Sequence, residues 1–312
     1  MKELLDKAVD KILSDSLNLR RHEMALVLCD SARFDIANVF YETLISRCKE
    51  TVLTVIQMRK EDGDELPEQV MLLIKQFNVA LIITEKQLPA NSVKNALSQC
   101  AVRTIVMSGI KGDILARTAQ TDWRKMGVYT RRVAAQLSAS KKITVVSGNG
   151  CELTIDKYDV QASVDDGRLS SPGAIGPVPA GEVSIPLAGC RCNGMVSING
   201  SFFPGGVLQE PLTIEITDGM IKRIHEHPSA AFIEKKLSLY KQARMISEFG
   251  VGTLDTAIIS GNLIEDRKSA GSLHIVFGNP LIAKQNFSVT GVIVNADVKL
   301  DEKIWIRGGT II

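Results

Sequence analysis

Aromatic side chains are scarce in this 312-residue chain. Phe, Tyr and Trp together make up 5% of it, too few for the stacking platforms on which single-stranded nucleic acids are held. Neither sign of charge dominates: 37 basic residues face 35 acidic ones, a net charge of +2. That balance leaves no basic stripe for nucleic acid or an anionic membrane, and no acidic tail. No apolar run is long enough to cross a bilayer. Histidine occurs only four times, and neither a G-x-S-x-G elbow nor a Walker loop nor G-x-G-x-x-G is present, so serine-hydrolase and nucleotide-cofactor readings lack their usual signals. The glycine-rich SGNGC at 147–151 leads into a strand pattern rather than a helix. Of the six cysteines only Cys190 and Cys192 are close, and no further Cys or His follows at ligand spacing. They read as two small residues in a tight loop rather than as a zinc site.

What is present is the composition of a soluble globular protein, 45% apolar and 23% charged. The N-terminal MKELLDKAVDKIL has apolar residues at helical spacing and lacks the continuous apolar core of a signal peptide, so it reads as an amphipathic helix of the mature protein. A cytoplasmic protein with reduced thiols is expected.

The chain divides by texture near residue 140. Residues 1–140 alternate short apolar runs (MALVLCD, TVLTVIQM, VALIIT, VRTIVMSG) with helical patterns. Pro67 suits the first turn of one helix, Asn91 the cap of another, and a long helical stretch from Gly112 is expected to break near Gly127. Strands alternating with helices predict a doubly wound, mostly parallel sheet, an α/β domain. Ligands of such sheets sit beyond the carboxyl ends of the strands. Lys86 and Arg103, read as lying near strand ends, could meet an anionic group there, but such residues are mostly solvated and neither is counted in the site. Residues 141–312 read as short strands divided by Gly, Asn and Pro, interrupted by one helix in AAFIEKKLSLYKQARMI. This predicts a β-rich α+β domain.

Three segments of the second domain carry metal-capable side chains. In PAGEVSIP, Val183, Ile185 and Leu187 face one way and Glu182 and Ser184 the other; in SEFGVGT, Glu248, Gly250 and Gly252 share a face; in SLHIVFG, His274 and Val276 lie opposite Leu273, Ile275 and Phe277. The glycines beside Glu248 leave room for close approach of backbone, metal or substrate. Taken singly, the two glutamates read equally as solvated carboxylates and His274 as a structural histidine. His225 and His227 form an H-x-H pair that reads as surface.

Together these motifs, PAGEV at 179–183, NG at 193–194, DG at 218–219, EFGVGT at 248–253 and EDRKSAGSLHIVFGN at 265–279, resemble the M29 family of metallo-aminopeptidases of the aminopeptidase T type. The N-terminal half matches more loosely. The resemblance implies two metal ions held by two glutamates, a His, a Tyr and a later H-x-D. Glu182, Glu248 and His274 match the glutamates and the first His. The Tyr position falls near Leu281, and the H-x-D pair falls on Ser288 and Thr290. Arg267 stands where relatives usually have an acid before Lys268. Half of the ligand set therefore remains, which would suit at most one divalent ion (Zn, Mn, Co or Fe). A second branch of the same fold contains iron dioxygenases that open dihydroxypyridine rings. Their ligand positions correspond here to Glu248, Ser288 and Thr290, so the resemblance does not carry that chemistry over.

The expectation is a hydrolase acting on a peptide, amide or similar small polar substrate. Its site would lie between the two domains, with Glu182, Glu248 and His274 holding the ion and Ser288 and Thr290 orienting the substrate. The alternative is a degenerate accessory protein of a biosynthetic pathway that binds a peptide or small molecule without metal. The family resemblance also implies a homodimer.

Overall fold

This computed structural model describes residues 1–88, 90–97, 100–238, 242–278 and 288–312, and the side chains of all of these except residues 90–92. The chain forms two compact units, Met1–Gly127 with Asp165–Ala180, and Val128–Val164 with Gly181–Ile312. The sequence expectation placed one crossing at residue 140. The observed chain instead enters the second unit within the helix Trp123–Ala139, returns at Asp165 and leaves again at Gly181. That helix runs unbroken through Gly127. The break comes earlier, between Arg117 and Trp123, where the Thr118 hydroxyl bonds back to the Leu115 carbonyl and Asp122 accepts from the Lys125 amide.

In the first unit the four apolar runs form parallel strands, joined by a short fifth, in the order Glu50–Ile56, Met24–Asp30, Val79–Thr84, Arg103–Ser108, Ile175–Pro177. Val79–Thr84 is buried throughout, as a parallel strand covered on both faces must be. Pro67 precedes the helix Glu68–Ile74 as its N-cap residue. The helix read from NSVKNALSQC spans Ala90–Leu97, and the capping role expected of the Asn91 side chain lies outside the described residues. Arg103 is not a ligand-binding cation: it opens its strand, is buried, and is held by Glu23 and the Leu17 carbonyl.

The second unit contains two sheets whose inner faces share one core. The strands Lys142–Ser147 and Cys151–Asp156 form a hairpin in the centre of an eight-stranded antiparallel sheet. A seven-stranded sheet runs in the order Gly206–Val207, Ser201–Phe203, Val289–Ile293, Leu273–Phe277, Ile246–Gly252, Glu182–Pro186, Ser163–Asp165. Strict two-residue alternation sends Val183, Ile185, Phe249, Val251, Leu273 and Ile275 into the common core. The other face of the same strands carries Glu182, Glu248 and His274. The helix Ala230–Leu237 interrupts the strands as expected. Cys190 and Cys192 are core residues, and burial pushes the Cys192 thiol up to about 12.

Candidate functional site

The strand register gathers the three predicted residues around one glycine. Gly250 lies directly opposite His274 on one side and Ser184 on the other; Glu182 lies opposite Gly252, and Glu248 is two residues before Gly250. A Cβ at Gly250 would collide with the His274 ring and come within 2.8 Å of the Val183 carbonyl oxygen, so only glycine lets the imidazole lie across the sheet there. Gly252 has a related role. Its bare Cα admits the 268–269 backbone, whose Lys268 carbonyl carbon would be 2.6 Å from an added Cβ.

That close approach delivers the segment after the short helix Leu263–Asp266. Asn262 caps the helix through the Ile264 amide at 3.1 Å. Asp266, fully buried, accepts from the Ser201 hydroxyl (2.6 Å), the Ser260 amide (2.7 Å) and the Gly261 amide (3.1 and 3.2 Å). The Ser260 hydroxyl donates to Glu265 at 2.8 Å. The loop is thereby tied to the strand Ser201–Phe203, and Arg267 projects over the trio.

The guanidinium of Arg267 occupies the convergence point. Its Nη2 is 2.5 Å from Glu182 Oε1, 2.6 Å from Glu248 Oε1 and 3.2 Å from His274 Nε2. The imidazole Nε2 is itself 3.4 Å from each of those carboxylate oxygens. Lys268 adds a second cation, with Nζ 3.3 Å from Glu182 Oε2. His274 is fully enclosed, and Glu182 keeps only 12% of its side-chain exposure, while Arg267 keeps 24% and Glu248 31%, so the cluster opens to solvent on the Glu248 side. Among the described residues, buried His274 Nδ1 and Arg267 Nε have no hydrogen-bond partner.

The electrostatics follow from this packing. Burial pushes the Glu182 carboxyl up, but Arg267, Lys268 and His274 outweigh it and hold the group well below the usual carboxylate range. Burial likewise raises Glu248, and His274 and Arg267 reverse the direction, leaving it lowered. Burial depresses the Arg267 guanidinium while Glu182 and Glu248 raise it, with a net upward shift. Two carboxylates are thus balanced by two cations before any ion is added.

Glu182, Glu248 and His274 form a group that could hold a metal ion, with donor atoms all within 4.8 Å of one another. The donor set is right for one cation, and a guanidinium already supplies it. A resident divalent ion does not fit beside Arg267, whose charge is permanent and whose Nη2 takes the position where the donors meet.

The other predicted residues stand apart from this cluster. Thr290 is buried on Val289–Ile293, opposite Val276, which is in turn opposite Glu248. Two strand spacings put it about 10 Å from Glu248. Ser288 is half-buried just before that strand. Among the described residues neither hydroxyl bonds to the trio. The Tyr position near Leu281 lies outside the described residues. His227 is engaged locally, accepting from the Ser229 amide at 3.0 Å and lying 3.1 Å from the Glu210 carbonyl oxygen. All of the predicted site residues belong to the second unit. Arg267 was visible in the sequence only as a basic residue at an acidic position; its charge reversal, together with the loss of the later ligands, was the available signal for its role.

No curated protein matches the chain by sequence. Among solved structures, the 2,5-dihydroxypyridine dioxygenase of Pseudomonas putida KT2440 is similar in fold at a TM-score of 0.82 and 16% identity, covering 100% of this chain and 98% of that one. Wild-type AmpT from Thermus thermophilus is similar at 0.67 and 14%, covering 100% and 99%. The two likenesses place the chain on the fold shared by the aminopeptidases and the ring-opening enzymes. A family model described as NicX, 2,5-dihydroxypyridine 5,6-dioxygenase, matches residues 18–280, most of the chain, and the protein belongs to that family.

Proposed function

We propose that this protein is a metal-independent member of its family that binds a small, uncharged polar molecule at the Glu182–Arg267–Glu248 cluster. One observation carries the reading: Arg267 Nη2 stands 2.5 and 2.6 Å from the two carboxylates that would otherwise hold a cation. A one-metal hydrolase would need Arg267 to withdraw, leaving the ion to compete with a fixed charge in a site that is already neutral. Nor do the carboxylates suit general-base work. Both are shifted down, away from the neutral range in which a base operates.

The exposed part of the cluster defines the ligand class. Arg267 binds the carboxylates through Nη2 and keeps 24% of its side chain exposed, and its other terminal nitrogen is the donor assigned to the ligand. Glu248 meets Arg267 through Oε1 and keeps 31% of its side chain exposed, and its second oxygen is the acceptor assigned to the ligand. A neutral group with an acceptor beside a donor, such as an amide, a lactam or a hydroxylated nitrogen heterocycle, complements that pair. The Pseudomonas relative is named for 2,5-dihydroxypyridine, a compound of this kind.

Calorimetric titration with 2,5-dihydroxypyridine, under argon and with EDTA, tests the reading. Saturable binding that persists without metal and is lost in Arg267→Met is expected; separate aerobic assays without EDTA should show no oxygen uptake on adding Fe(II) and no release of p-nitroaniline from leucine p-nitroanilide with Zn, Mn or Co. Metal-dependent turnover of either substrate overturns the binding-protein assignment. Absence of binding overturns the ligand class.

A further inference from the structure

We infer a second small-molecule site in the first unit, for a ligand with an anionic oxygen head on an apolar body. A hollow of about 380 Å³ is lined by Leu13, Ser14, Leu19, Arg21, Ser46 and Arg47, within the size range of small-molecule pockets.

Local backbone geometry creates it. The first helix, Lys2–Lys11, widens into a π-helical turn over Ile12–Ser16, closed by the Leu17 amide on the Ile12 carbonyl at 3.1 Å. Such widened turns recur at functional sites. The chain then reverses through Asn18 at φ 51°, and the Leu19 amide returns to the Leu13 carbonyl at 2.9 Å. This leaves half-buried Leu19 as the accessible apolar surface of the hollow, packed over the fully enclosed Leu13. The opposite wall is the segment after the helix Phe34–Leu44, held by the Lys49 amide on the Glu23 carbonyl at 2.9 Å.

The rim is positive. Two guanidinium groups, those of Arg21 and Arg47, line it. The nearby acids are engaged. Asp10 pairs with Arg47 through one guanidinium nitrogen at 2.6 Å, and Glu23 is held by buried Arg103 at 2.6 Å and by the Arg20 amide at 2.8 Å. Arg21 is exposed and has no ion pair or side-chain hydrogen bond among the described residues. The Ser14 and Ser46 hydroxyls bond only locally, to the Lys11 carbonyl and Asp15 at 3.4 Å and to the Thr43 carbonyl at 3.1 Å, and can turn to a ligand. Guanidinium groups at a rim select carboxylate or phosphate oxygens, and the accessible Leu19 side chain favours an apolar body beside them. This site shares no residue with the cluster around Arg267.

Phenyl phosphate, hexanoate and inorganic phosphate are the probes, titrated against the full chain by calorimetry at low salt. Phenyl phosphate or hexanoate binding saturably and at least about tenfold more tightly than inorganic phosphate supports the site, and their relative affinities identify the preferred head group. Arg21→Glu should weaken that binding by about tenfold or more. Leu19→Trp, which fills the hollow, should abolish it, while Arg191→Ala in the other unit leaves it unchanged. Circular dichroism and melting of each variant establish folding. No saturable binding, binding untouched by both Arg21→Glu and Leu19→Trp, or inorganic phosphate binding as tightly as phenyl phosphate overturns the inference.

Discussion

Replacing Arg267 by methionine keeps most of the side-chain volume and removes only the charge that joins Glu182 to Glu248. Removing one member of a buried ion pair costs about 3–5 kcal/mol, because the partners stay desolvated and uncompensated. Glu182 retains only 12% exposure but Glu248 retains 31%, so the lower end, about 3 kcal/mol, applies. For a unit of roughly 150–250 residues each kcal/mol moves the melting temperature by about 2–4 °C, giving a drop of about 6–12 °C at pH 7. The vacated centre then has two carboxylates and an imidazole with no internal cation, which suits a divalent ion. Zinc at a hundredfold excess over its dissociation constant would return about 2.7 kcal/mol, nearly the whole loss. Thermal melts of wild type and Arg267→Met, with zinc and with EDTA, read this directly. The wild type should ignore both additions, and the variant should melt early in EDTA and recover with zinc. A wild type stabilised by zinc as strongly as the variant, or a variant that melts normally and does not respond to zinc, would show that Arg267 does not take the place of a metal ion.

Acid should weaken the fold through the same cluster. The folded pKa values of Glu182 and Glu248 are depressed, so their stabilisation is fully present above the unfolded value of about 4.3 and is lost as pH falls through the folded values; urea melts between about pH 3 and 7 should show this, and Glu182→Gln should flatten the dependence. Gly250→Ala should cost about 1–3 kcal/mol or more by driving the His274 ring off the sheet, seen as a lower melting temperature and a shifted imidazole NMR signal. Asp266→Ala strips the acceptor from the Ser201 hydroxyl and the Ser260 and Gly261 amides. A loss of about 3 kcal/mol is expected, with faster hydrogen exchange confined to residues 258–268. Unchanged exchange there would show that the loop is held by other contacts.

The period-2 alternation in EVSI, EFGVG and LHIVF told which side chains face the core and which face outward, because a strand with one buried face has a single register that satisfies it. The parallel sheet of the first unit was equally readable from its apolar runs. The single domain boundary was not, since the crossing falls inside an uninterrupted helix whose amphipathic pattern carries no mark of it. Arg103 looked like a free cation because its partner Glu23 is 80 residues away in sequence. Arg267 is the instructive case. Its position was noted as unusual, but a charge 85 residues from Glu182 can be placed at the centre of the trio only when the Gly252 approach and the Asp266 anchor are seen in three dimensions. Thr290 kept the family's sequence position yet lies two strands from Glu248, so its correspondence to a ligand implied no contact here.

Arg267 stands where a metal ion would otherwise sit. Crystals grown with excess zinc, with diffraction recorded on both sides of the zinc absorption edge, test it most directly. Continuous density is expected for the Arg267 guanidinium between Glu182 and Glu248, with no anomalous peak among Glu182, Glu248 and His274. A zinc peak there, with Arg267 swung out to solvent, would contradict it.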